Sequence, residues 1–120
     1  MALMPTMSDY GKPFKKLDAD ETKFSVSEYP TLLFNVIATN TATSVRYLKL
    51  YNAASADVTV GTTVPKMTLM IPAGSLGFSI TCQRGVLFSV GLTAAVTTGA
   101  DDTDTGAPGS NEVIVNMVHS

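Results

Sequence analysis

The sequence predicts an all-β domain, a sandwich or a jelly-roll-like barrel, with an extended N-terminal arm. Of its 120 residues, 16 are Thr and 12 are Val, and such β-branched side chains favour strands over helices. Short apolar runs follow one another, separated by Gly, Pro, Asn and Ser, which is typical of short strands joined by turns. No run keeps a helical period for longer than about one turn. These observations indicate two packed sheets or a barrel in one domain.

We place the arm at residues 1–23 and the β-sandwich domain at residues 24–120. The arm contains Pro5, Gly11 and Pro13 and shows no sustained periodicity. It is more apolar than a solvated tail, so we expect it to bind a partner; packing on its own domain is the alternative. The expected partner-binding residues are Leu3, Met4, Met7, Tyr10 and Phe14.

From residue 24 onward, predicted strands follow in quick succession. The run at residues 32–38 is almost continuously apolar, as in the central strand of a sheet. We expect at most one helical turn, at residues 53–56, and a long polar loop at residues 97–111 that is functional or ordered by a partner. Turns are predicted at Asn52, Gly61, Gly74 and residues 84–85. The predicted strands are residues 24–28, 32–38, 45–51, 57–60, 67–71, 78–82, 86–90, 92–96 and 112–118.

The charge of the chain argues against nucleic acid as a specific partner. Charged residues make up 15% of the sequence and the formal net charge is −2, whereas nucleic-acid-binding domains are usually basic. Residues 29–100 hold a single acid, Asp57, and four cations. We interpret these cations as long side chains whose stems cover apolar surface; a phosphate or nucleic-acid site is the alternative. The four cations are Arg46, Lys49, Lys66 and Arg84.

Groups for acid–base or nucleophilic catalysis are scarce. The only His is the penultimate residue, His119, and the only Cys, Cys82, lies in an apolar stretch where we expect a buried thiol. Asp57 alone supplies a carboxylate in residues 29–100, and no Gly-rich phosphate-binding motif occurs. We therefore predict that the protein is not an enzyme and has neither catalytic residues nor a cofactor.

The sequence DDTDTG at residues 101–106 is the strongest candidate for a metal site. Alternating carboxylates in a Gly-bearing loop suit calcium, which takes about six to eight oxygen ligands. Asp102, Asp104 and a backbone carbonyl would contribute ligands here. The full calcium-loop signature is absent, because neither a third spaced Asp nor a well-placed Glu is present. We therefore favour a solvated loop without a metal.

Membrane association is not indicated by the sequence. The longest apolar stretches, residues 32–38 and 67–71, are too short to cross a bilayer. The N-terminus lacks the basic and apolar regions of a signal peptide. We expect synthesis in the cytosol and no membrane partner.

Five motifs carry a resemblance to a known group of proteins. They are YLKLYN at residues 47–52, VGTTVP at 60–65, IPAG at 71–74, GVLFSVGL at 85–92 and VTTGADDTD at 96–104. In this order and spacing they resemble a widespread group of small proteins encoded among the virion structural genes of tailed bacteriophages. The resemblance covers roughly residues 45–105 and leaves out the N-terminal arm.

The resemblance implies a virion component that assembles in the host cytoplasm. We expect a capsid decoration (cement) protein that stabilises the head by bridging capsomers; a tail, neck or baseplate component is the alternative in the same class. A carbohydrate- or receptor-binding β module is the alternative outside it, although the chain has no Trp for stacking. The expected partners are the major capsid protein or other virion structural proteins. Weak charge and an apolar arm suit a homo-oligomer, with a trimer favoured.

Overall fold

The structure is a computed structural model that describes residues 11–120, and in this part the chain forms eight strands and a 3₁₀ helix, Ser55–Asp57. The strands are β1 (Lys12–Lys16), β2 (Phe24–Ser27), β3 (Thr31–Asn40), β4 (Arg46–Tyr51), β5 (Met67–Ile71), β6 (Ser75–Phe88), β7 (Leu92–Thr97) and β8 (Val113–His119).

The strands form two four-stranded sheets that pack as a sandwich. Sheet A has the order β1-β8-β3-β6 and sheet B the order β2-β7-β4-β5. Every neighbouring pair of strands is antiparallel. Among residues 11–120 the two sheets do not join into a closed barrel. The all-β prediction is therefore confirmed in its sandwich form.

Alternation along the strands creates the core between the two sheets. Leu33 and Val36 of β3 belong to the same buried apolar cluster as Leu48 and Leu50 of β4. Successive strand residues point to opposite sides of a sheet, so the residues between these point away from the core. They form the two outer faces of the sandwich.

The sandwich begins upstream of the predicted boundary at residue 24. Strand β1 pairs with β8 along its whole length, from Lys12 opposite His119 to Lys16 opposite Val115. Ala19 is fully buried, and its N–H donates a hydrogen bond of 2.9 Å to the carbonyl of Val113. Residues 12–23 thus pack on their own domain, which was the alternative to an arm.

Strand β6 replaces two predicted strands and the turn between them. Leu33 pairs with Val86 and Asn35 with Thr81, so residues 82–85 bulge out opposite the single residue Phe34. Gly85 has a φ of 85°, which favours Gly and explains why residues 84–85 resemble a turn in the sequence. The predicted turn is wrong because the chain continues in the same direction after the bulge. Cys82 lies in this bulge and is half-buried rather than buried.

The predicted strand at residues 57–60 is also wrong. The 3₁₀ helix ends at Asp57, and Val58 then buries its side chain without joining a sheet. The Lys23 ammonium fixes this segment by donating hydrogen bonds to the carbonyls of Ser55 and Val58, at 2.5 and 2.7 Å. No helix found in residues 11–120 is both long and apolar enough to span a membrane.

Candidate functional site

The outer face of sheet A is open to solvent and combines apolar side chains with polar ones such as Asn35 and Asn116. Its outward side chains include Ile37 of β3, Leu87 of β6 and Val118 of β8, which are 42%, 53% and 38% exposed. Their neighbours along the strands, such as Val36, Phe88 and Met117, point inward and are buried. We call this surface the open face. Exposed apolar groups on adjacent strands are typical of an interaction surface.

A cavity of about 130 Å³ lies where β1, β3 and β8 meet on the open face. Its lining includes Pro13, Ile37 and Val118, with Asn35 and Asn116 as polar members. The side-chain oxygen of Asn35 is buried and has no hydrogen-bond partner among residues 11–120. A buried acceptor without a donor is costly, and the mixed lining of the cavity suits a ligand that is mainly apolar with some hydrogen-bonding groups.

Gly11 lies at the edge of the same face. A Cβ atom at this position would lie 2.5 Å from a methyl carbon of Val118 and 4.0 Å from the ring of Phe34. Only Gly permits so close an approach. The chain therefore enters the described structure beside Val118, which lines the cavity.

The outer face of sheet B is covered by the protein's own loops, and we call it the covered face. Residues 52–66, between β4 and β5, and residues 98–112, between β7 and β8, contact this face. The loop residue Val58 packs with Tyr51 and Ala95 in a second small core. Five outward side chains of β4 and β7 are fully buried, namely Lys49, Tyr51, Thr93, Ala95 and Thr97. On the edge strand β5, Thr68 and Met70 remain exposed.

Lys49 holds the loop after β7 in place. Its side chain is fully buried, and its ammonium donates hydrogen bonds to the carbonyls of Asp101 and Asp104, at 2.5 and 3.1 Å. A buried charge requires such partners because it has lost its hydration. The Lys49 ammonium therefore binds two backbone carbonyls in the loop that the sequence indicates as the candidate calcium site.

The two carboxylates of the candidate metal site have different surroundings. Asp104 accepts hydrogen bonds from the N–H groups of Gly99 and Gly106, at 3.2 and 2.8 Å, and so shapes the loop itself. Asp102 is exposed. Burial raises the pKa of the Tyr51 phenol, and the nearby Asp102 carboxylate raises it further. In residues 11–120, no group of three or more His, Cys, Asp or Glu side chains is placed to hold a metal.

The cations of residues 29–100 are used for internal contacts rather than assembled into a patch. Arg46 pairs with Glu112 at 3.0 Å, and this hydrogen bond lowers the pKa of the Glu112 carboxyl. The Lys66 ammonium donates to the Leu87 carbonyl and lies 5.1 Å from the centre of the Phe88 ring. Lys49 is buried beneath its loop. Of the four, Lys66 and Arg84 are exposed.

The predicted partner-binding residues are only partly within the described structure. Leu3, Met4, Met7 and Tyr10 lie outside residues 11–120. Phe14 lies in β1, where its ring stacks on Phe24 with 5.8 Å between ring centres and packs against the core. Phe14 also lines the cavity of the open face. Its ring therefore contributes both to the protein's own core and to the base of that cavity.

The polar groups at the end of β8 form a tie between β8 and β3. The hydroxyl of Thr31 lies 3.2 Å from Nδ1 of His119 and donates a 3.0 Å hydrogen bond to the Ser120 carbonyl. Ser120 and Leu32 also exchange hydrogen bonds. Burial lowers the pKa of His119. These contacts hold the C-terminal strand against the centre of sheet A.

No protein-family model, curated protein or solved structure matches this chain. The molecule itself defines the class: an all-β sandwich of two antiparallel sheets, with one outer face closed by its own loops and the other open. The strongest site within residues 11–120 is the apolar cavity on the open face.

Proposed function

We propose that this protein is a non-enzymatic structural protein of a tailed-bacteriophage virion, and that it decorates the capsid by binding between capsomers. Two lines of reasoning support the proposal: the resemblance carried by residues 45–105, and the chemistry of the open face. Its partners are the major capsid protein and further copies of itself in a homo-oligomer.

The open face is the observation that carries the proposal. Ile37, Leu87 and Val118 place apolar surface on three adjacent strands, with 38% to 53% of each residue exposed. Burying such surface at about 25 cal/mol per Å² stabilises an assembly of many weakly charged copies. A subunit of a shell buries such surface at each contact with a neighbour.

The residues that carry the phage resemblance are concentrated on the covered side of the sandwich. YLKLYN spans β4 and the turn after it, and VTTGADDTD contains the loop held by Lys49. These motifs mainly build the scaffold, and GVLFSVGL also supplies Leu87 of the open face. Ile37 and Val118, the other exposed apolar residues of that face, lie on strands outside the motifs.

The edges of the sheets are consistent with assembly controlled by specific contacts. Edge strand β1 carries Lys12, Pro13, Lys15 and Lys16, which disfavour uncontrolled strand pairing. Edge strand β6 is interrupted by its bulge at residues 82–85. With both edges of sheet A protected in this way, its face is the surface best suited to bind a neighbour.

Copy number in the virion tests the proposal. Purified particles are analysed by quantitative mass spectrometry, and particles lacking the protein are heated beside complete ones. We expect a copy number on the scale of the capsomers and a lower temperature of DNA release without the protein. A handful of copies per particle would identify a tail, neck or baseplate component instead, and absence from particles would refute the virion role.

A carbohydrate-binding role receives less support from the aromatic residues. Tyr51 is fully buried, and Tyr29 and Tyr47 are the other tyrosines within residues 11–120. Sugar stacking requires exposed rings that share one surface. A glycan array probed with the purified protein checks this alternative, and we expect no binding.

A further inference from the structure

We propose that the cavity on the open face receives an apolar side chain from the N-terminal segment, residues 1–10, of a second copy of the chain. This inference rests on the proposed function, because it requires copies that assemble. It identifies the partner of the cavity and gives the apolar N-terminal residues a defined binding site.

The size and lining of the cavity set the kind of group it accepts. A volume of about 130 Å³ is close to that of an engineered apolar cavity of roughly 150 Å³ that holds a benzene molecule. One Leu or Met side chain is of comparable size. The walls formed by Pro13, Ile37 and Val118 are apolar, so they favour such a side chain over a charged one.

Asn35 and Asn116 add polar side chains to the lining of the cavity. The backbone of an extended peptide offers an N–H and a C=O group next to each side chain. A peptide that places a Leu or Met in the cavity therefore brings hydrogen-bonding groups for these amides together with its apolar side chain.

The N-terminal segment has the composition that this site requires. Residues 1–10 read MALMPTMSDY, with Leu3, Met4 and Met7 as apolar candidates and Asp9 as the only charged side chain. Ten extended residues reach at most about 33–36 Å. This length spans several strand spacings of about 4.8 Å and can therefore reach a neighbouring molecule.

The proposed homo-oligomer favours a second copy as the source of the segment. Residues 1–10 are attached at Gly11, beside Val118 of the cavity lining. Every copy therefore carries both the apolar segment and the cavity at the same end of sheet A, which suits a reciprocal exchange of identical arms between copies.

Two complementary variants of the full chain test the inference by sedimentation velocity. One variant carries Ile37→Glu, which places a charge in the cavity but keeps the N-terminal segment. The other lacks residues 2–10 and keeps the cavity. We expect the wild type to associate, each variant alone to associate at least about tenfold more weakly, and an equal mixture of the two to recover complexes. Recovery occurs only if the segment of one copy binds the cavity of another.

Matched controls keep the result interpretable. Thr68→Glu introduces the same charge at an exposed strand position of sheet B, away from the open face, and should leave association unchanged. Circular dichroism and thermal unfolding confirm folding, and Val118→Lys replaces Ile37→Glu if that variant does not fold. Monomeric wild type, full association of either variant, or no recovery in the mixture would each overturn the inference. If the sedimentation experiment contradicts the inference but virions contain the protein at a copy number on the scale of the capsomers, this inference is wrong and the proposed virion role stands.

Discussion

The two outer faces of this sandwich are built from the same kind of strand, yet loops cover the central strands of one face and leave those of the other open. On sheet B, side chains such as Lys49 and Ala95 are fully buried, whereas Ile37 and Leu87 on sheet A remain about half exposed. The difference comes from the connections, because the long loops after β4 and β7 both fold over sheet B. The open face is therefore defined by where the long loops go, and not by strand sequence alone.

Of the substitutions considered, removal of the Lys49 side chain should destabilise the covered face most. Lys49→Ala deletes two charge-assisted hydrogen bonds, leaves the carbonyls of Asp101 and Asp104 without their donor and empties the space of a buried stem. We expect a loss of about 3 kcal/mol in the free energy of unfolding. Urea denaturation measures the loss, and limited proteolysis should show faster cleavage within residues 98–112.

Two controls separate the causes of that loss. Lys49→Met keeps most of the apolar stem and removes only the ammonium, so it should cost less than Lys49→Ala. Lys15→Ala, on the exposed edge strand β1, should change stability by less than about 0.5 kcal/mol. An unchanged free energy for Lys49→Ala would mean that the loop does not depend on this lysine.

The bulge in β6 allows a comparison within sheet A. Gly85 has a φ of 85°, and a Cβ atom there would lie 3.0 Å from Cβ of Leu32 and 3.1 Å from the ring of Phe34. Gly85→Ala should destabilise the protein by about 2 kcal/mol, through backbone strain and crowding. Thermal unfolding measures the effect.

Gly77 supplies the control on the same strand. A Cβ atom there meets nothing within 4 Å, so Gly77→Ala should be neutral or slightly stabilising. Equal effects at Gly77 and Gly85 would rule out the geometry of the bulge as the cause.

The same substitution on the two faces gives the most direct comparison. Val58, in the loop that packs on the covered face, is 1% exposed, and Val118 on the open face is 38% exposed. Val58→Thr buries a hydroxyl and should cost about 1–2 kcal/mol, whereas Val118→Thr should change stability by less than about 0.5 kcal/mol. Chemical denaturation of both variants tests this, and similar costs would show that the open face is covered after all.

Some strands of the two sheets could be predicted from the sequence, whereas the bulge and the long-range pairing could not. Alternation and turn residues predicted strand β5 at its observed residues and β3 and β8 to within a few positions. They could not show that residues 82–85 form a bulge, because the chemistry of Arg84 and Gly85 suits a turn equally well. Pairing of β1 with β8 joins residues about a hundred positions apart, which local patterns do not reveal.

The candidate site was harder to predict than the fold. The almost continuous apolar run at residues 32–38 was a usable signal, because it placed Ile37 on the side of β3 opposite Val36. Whether a loop covers that side depends on where distant loops fold. The role of Lys49 was similarly hidden, since its partners are backbone carbonyls, which every residue has.

The end of β8 provides the smallest expected effect, a dependence of stability on pH. Val118 belongs to the open face, while the next residue, His119, is buried beside the Thr31 hydroxyl and the Ser120 carbonyl and opposite Lys12. Burial holds the pKa of His119 below its ordinary value near 6.5, so the unfolded chain binds the proton more readily than the folded one. Stability is therefore complete above the unfolded pKa and falls as the pH drops through it towards the folded pKa.

Unfolding temperatures measured between about pH 7.5 and about pH 5.5 test this dependence, because His119 is the only histidine in the chain. The wild type should lose stability over this interval, and His119→Gln should lose less. The variant keeps every carboxylate and the terminal amine, so the difference between the two curves isolates the imidazole. Parallel curves would mean that His119 accepts its proton as easily in the fold as in the unfolded chain. In that case its side of β8 would be as open to water as the side that carries Val118.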